Sequence, residues 1–116
     1  MKLYTALISA GLLALTVSAT TMAAGSPPVE PAQIAAAKTA ADHEAIAKAY
    51  EQEAIDLDKS AKMHQRMADT YRSIGKGGLE AANAHCSALA KNLAAAAEES
   101  RTLAAEHHKM AEAAGH

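Results

Sequence analysis

From Asp42 onward the apolar residues recur every three or four positions, and nowhere over several residues do they alternate one by one. This spacing predicts helix rather than strand, and its 3.5-residue average is that of a coiled coil. With His43 and Cys86 lettered a, the a and d positions of the first helix are His43, Ile46, Tyr50, Glu53, Leu57, Ser60, His64, Met67, Tyr71 and Ile74. Those of the second run Cys86, Leu89, Leu93, Ala96, Ser100, Leu103, His107, Met110 and Ala114. The stripe is diluted at Glu53, Ser60 and Ser100. Gly75-Lys-Gly-Gly78 is the strong break between them. Two long helices joined by a short Gly turn predict an all-α, antiparallel two-helix hairpin of coiled-coil type, with a and d facing the partner helix.

Helix 1 is expected over about 39–74, the turn over 75–78 and helix 2 over about 79–114. Thr39-Ala-Ala-Asp42 reads as a capping box with Asp in the Glu place. Gly115 is a plausible stop. Residues 25–38 form a Pro-rich tether, Gly25-Ser-Pro-Pro-Val-Glu-Pro31, with a helical lead-in of a turn or two over 32–38. Residues 1–24 have the three-part plan of a secretory signal peptide: Lys2, then a mostly apolar stretch from Leu3 to Val17, then small residues with a cleavage site at Thr21-x-Ala23. A periplasmic or secreted address follows, with no stable membrane insertion after cleavage.

Composition sharpens this outline. The chain has no Phe or Trp and is rich in Ala, which favours helix but buries little area. A lone hairpin of this make-up is short of core, so a homodimer forming a four-helix bundle is expected. Net charge is −2, and one unit more negative once Lys2 is removed, with both signs interspersed. Nothing in that balance attracts nucleic acid. The single cysteine, Cys86, excludes an intramolecular disulfide, leaving an intermolecular bridge, a free thiol or a metal ligand.

A short pattern recurs four times: His43-x-x-Ile46-Ala47, His64-x-x-Met67-Ala68, Cys86-x-x-Leu89-Ala90 and His107-x-x-Met110-Ala111. Three heptads separate the two members on each helix, about 31 Å, so they cannot share a site. Folding about residue 75 sets His64 opposite Cys86 and His43 opposite His107. Packing a against d shifts the partners by about 4.5 Å and sets Met67 opposite Cys86, Ile46 opposite His107 and His43 opposite Met110. Both registers collect the same clusters. The turn-proximal one holds His64, Met67 and Cys86, flanked by Met63 and His85; the open-end one holds His43, His107 and Met110, flanked by His108.

Thiolate and thioether favour Cu(I), whereas imidazole suits Cu(II), Zn or Ni. The chain is therefore a candidate soft-metal binding or buffering protein. Two other readings stand beside it: a ligand-free structural or adaptor bundle whose polar a positions set pairing, and a periplasmic chaperone-like or envelope-stress protein presenting an apolar surface. An enzyme is not expected, because neighbouring His85 and Cys86 point about 100° apart and no acidic residue orients them. The segments Asp42-His-Glu-Ala-Ile-Ala-x-x-Tyr50, His64-x-x-Met-Ala-x-x-Tyr71 and His85-Cys-x-x-Leu-Ala90 resemble small exported Ala-rich helical-hairpin proteins of Gram-negative bacteria. That resemblance implies export and a helical fold, and it carries no active residues across.

Overall fold

The computed structural model describes residues 27–75, 77 and 79–115. The expected signal peptide, Lys76 and Gly78 of the turn, and His116 lie outside the described residues. Three helices follow in chain order: α1, Pro31–Ala36; α2, Ala40–Ile74; and α3, Glu80–Ala114. Helices α2 and α3 pack against each other along their length as an antiparallel hairpin. None of the described helices is long and apolar enough to cross a membrane.

Local chemistry sets the boundaries. Pro31, which ends the tether and is one of the two positions (with Ala32) at which the composition turns helical, is the first residue of α1, where its fixed φ fits and its missing N–H loses no bond. The chain leaves α1 through extended Ala37 and enters α2 at a reciprocal capping box. The Asp42 backbone N–H donates to Thr39 Oγ1 at 3.1 Å, while the Asp42 carboxylate accepts from the N–H groups of Thr39 at 2.9 Å and Lys38 at 3.0 Å. These backbone donors hold the Asp42 carboxyl below its ordinary pKa. At the other end of α2, Gly75 turns left-handed at φ 59°, a conformation that an L side chain rarely adopts. Across the turn, Asn83 Nδ2 donates to the Ala68 carbonyl at 2.6 Å, tying the first turn of α3 to α2.

The contact between the two long helices differs from the expected stripe. Its centre is a row of alanines, Ala47, Ala54, Ala61 and Ala68 on α2 and Ala90, Ala97, Ala104 and Ala111 on α3, all buried. Each follows a d position and so occupies e. The a residues flank this row on one side and the b residues on the other, about 50° round the helix in either direction. Cross-helix bonds mark the two flanks. On the a side, His43 meets His107 and Ser100 Oγ donates to Glu53 at 3.2 Å. On the b side, Arg101 pairs with Asp58, and His108 meets Glu44 and Glu51.

Methyl side chains let two helices approach more closely than leucines would, and the eight buried alanines are spaced along the shared length. The large d residues then have no room between the helices. They turn about 100° away from the alanine row, and Met67, Ile74, Leu89, Leu103 and Met110 stay exposed. Ile46 is the buried exception; it lines a hollow shared with Val29, Gln33 and Ala36 of the segment that leads into α2. In an antiparallel pair, equivalent flanks of the two helices lie on the same side. The hairpin thus has an a/d face that is apolar with histidines, and an opposite face rich in charge.

Candidate functional site

The antiparallel register decides which of the dispersed His, Cys and Met residues meet. At the open end it brings together His43 and His107, whose Nδ1 atoms lie 3.1 Å apart. The rings are tilted by 34° with centroids 5.3 Å apart, and the Tyr50 ring centroid lies 5.9 Å from that of His107. His107 is buried and His43 half-buried. A direct Nδ1 to Nδ1 contact requires one ring to carry the proton there and the other to present its lone pair. Two imidazoliums in that place would repel. Burial first, and the His43 charge second, push the His107 pKa below its ordinary value.

The other two members of the open-end cluster are less buried than His107. Met110 is at a d position and 45% exposed. His108, one residue beyond His107, turns to the charged face, where Nδ1 lies 3.1 Å from Glu44 and Nε2 2.9 Å from Glu51. Hydrogen bonding to Glu51, then to Glu44, raises its pKa. This bridge lies outside the a/d stripe and was not expected. Its signal was there, since Glu44 and Glu51 are seven residues apart and each follows an a residue, as His108 follows His107.

Nearer the turn, the same register carries His64 and Cys86 to one level, both half-buried, but no hydrogen bond joins them. His64 Nδ1 is fully buried and unpartnered among the described residues. Met63 and Met67 are exposed, and His85 is too. No group of three or more His, Cys, Asp or Glu that could hold a metal ion occurs among the described residues. The structure therefore assembles a two-imidazole pair at the open end, and near the turn an unpaired imidazole level with a free thiol.

An orphaned buried nitrogen costs stability, on the order of 1 kcal/mol when the rest of the ring still reaches water. Replacing His64 by Leu, of similar length and without polar atoms, is expected to raise the melting temperature by about 4–8 °C, the response of a small domain to a change of that size. Thermal unfolding followed by circular dichroism checks this. A lower melting temperature would mean that Nδ1 has a partner in solution.

Comparison of the chain with protein-family models, with curated proteins and with solved structures finds no match.

Proposed function

We propose that this chain is a small exported helical-hairpin protein that binds and buffers a transition-metal ion, with His43 and His107 as its binding element. The observation that carries the reading is the 3.1 Å separation of the two Nδ1 atoms. Two imidazole nitrogens on one tetrahedral ion, each 2.0–2.1 Å from it, stand about 3.3 Å apart. The pair is thus close to the spacing of adjacent ligands, and an ion between them would replace a shared proton. Imidazole suits Zn(II), Cu(II) and Ni(II). Two protein ligands leave the remaining positions to water or exchangeable groups, which fits uptake and release better than permanent structural binding. Exposure of Met67 and Met110 weakens the thioether-rich Cu(I) alternative at both clusters.

The test is metal uptake by the exported, chelator-stripped protein, titrated with Zn(II), Cu(II) and Ni(II) by calorimetry. The parent is expected to take up one of them, and His43→Ala with His107→Ala to weaken that binding by more than about a hundredfold, beyond the roughly 10–100-fold that loss of an outer partner costs. His85→Ala, at an exposed position, is expected to leave it unchanged. No uptake by the parent, or equal uptake by the double variant, sinks the proposal.

A structural or adaptor bundle is the second reading, favoured by the apolar a/d face. On that reading the His43–His107 contact is a polar layer that sets helix alignment.

A further inference from the structure

We infer that the a/d face is the docking surface for a second copy of this chain, the two hairpins closing into a four-helix bundle around it. The inference is independent of metal binding. The hairpin's interior contains little beyond alanine methyls, while larger apolar side chains at the d positions lie outside it: Met67 is 39% exposed, Leu89 45%, Leu103 43% and Met110 45%. Such an arrangement reverses the usual preference for burying the larger group, unless that face is covered.

Charge is distributed to match. Among the described a and d positions Glu53 is the sole carboxylate, and it already accepts from Ser100; no Lys or Arg occurs there. The polar layer at His43 and His107 is likewise satisfied within one hairpin. Covering the face would therefore bury no charged group without a partner, the costliest case at an interface, while His64 Nδ1, already unpartnered, would take one from the second copy.

Size is sufficient. Helices of 35 residues are about 52 Å long at 1.5 Å per residue. Two of them side by side, each about 10 Å across, present about 1,000 Å², against the roughly 800 Å² per partner of a standard interface. The occupant follows from the repeat. A face that holds a seven-residue period on both helices, with no Gly or Pro within them, fits another surface of the same period, and this chain carries one. An irregular unfolded client offers no such match.

The experiment is sedimentation equilibrium and concentration-dependent thermal melting of the exported protein, metal-free. The parent is expected to sediment at twice the chain mass at about 10 µM and to melt at higher temperature as concentration rises. Leu89→Glu with Leu103→Glu, both exposed in the single hairpin, is expected to weaken association by more than tenfold, with a melt that no longer depends on concentration. Ile55→Glu, exposed on the charged side, is expected to leave the dimer intact. If the double variant fails to fold, the parent's mass and concentration dependence decide. A parent that stays monomeric at ten times that concentration overturns the inference, as does a dimer indifferent to the double substitution and broken by Ile55→Glu. A monomer that suppresses aggregation of an unfolding client would assign the face to clients instead.

Discussion

Enlarging one alanine of the central row, Ala97→Leu or Ala54→Leu, is expected to destabilise the hairpin by about 2–3 kcal/mol, the upper part of the range for overpacking. In a domain of this size that lowers the melting temperature by about 10–20 °C. The two positions are 0% and 1% exposed, and each faces the other helix across a contact set by methyl groups. Three added carbons must either push the helices apart, which strips contacts from neighbouring alanines, or take a poor rotamer. Ala105→Leu is the control: exposed on α3, it adds the same atoms where nothing opposes them. Alanine and leucine differ little in helix propensity, so it is expected to melt within about 2 °C of the parent. Circular dichroism at fixed concentration reads all three. Had a and d formed the contact between the two helices, e would lie at its edge and leucine there would be tolerated. Equal melting of Ala97→Leu and Ala105→Leu would restore that arrangement.

The same alanines explain what could be read in advance. Helix against strand was legible because an apolar spacing of three and four leaves no other choice. The capping box at Thr39 and Asp42 was legible because its two hydrogen bonds are local. The contact of His43 with His107 needed only an antiparallel fold about the Gly turn, and it tolerates small errors in register. The rotation of the contact surface was not legible. A heptad stripe is weighted by residue size, which selects Ile46, Met67, Leu89 and Leu103 over the alanine that follows each of them. In a single hairpin, smallness wins at the closest approach, because close backbones make more contacts than large side chains held further apart. That one rotation also leaves Met67 and Met110 exposed and puts His108 on the charged face, where its carboxylate partners Glu44 and Glu51 lie at b positions, outside the a/d pattern.

Acidifying the metal-free protein from pH 7.5 to 5 is expected to loosen the open end of the hairpin, with two neighbouring histidines pulling in opposite directions. His107 has a folded-state pKa below the ordinary 6.5, through burial first and the His43 charge second. Its contribution to stability is therefore fully present above 6.5, where folded and unfolded chains both keep it neutral. As pH falls below 6.5 the unfolded chain takes up a proton that the folded one resists, and the contribution is lost down to the lowered folded value. His108 has the opposite sign. Its pKa is raised by Glu51 and Glu44, so its contribution is complete below 6.5 and is lost as pH rises through the raised value. Because His107 is buried and its neighbour is another imidazole, whereas the His108 bridge is half exposed and screened, the His107 loss is expected to dominate. Asp42 stays out of this window, since its pKa lies below 3.8. Two substitutions separate the effects. His107→Phe removes the group that resists charging, and its stability is expected to hold or rise between pH 7.5 and 5. His108→Gln removes the compensating bridge, and its stability is expected to fall more steeply than the parent's over the same interval. Urea unfolding at each pH measures both, and amide exchange at Ile46, Ala47, Ala104 and His107 reports whether the opening starts at that end. If His107→Phe weakens on acidification as much as the parent does, the loss must come from a group other than the imidazole pair.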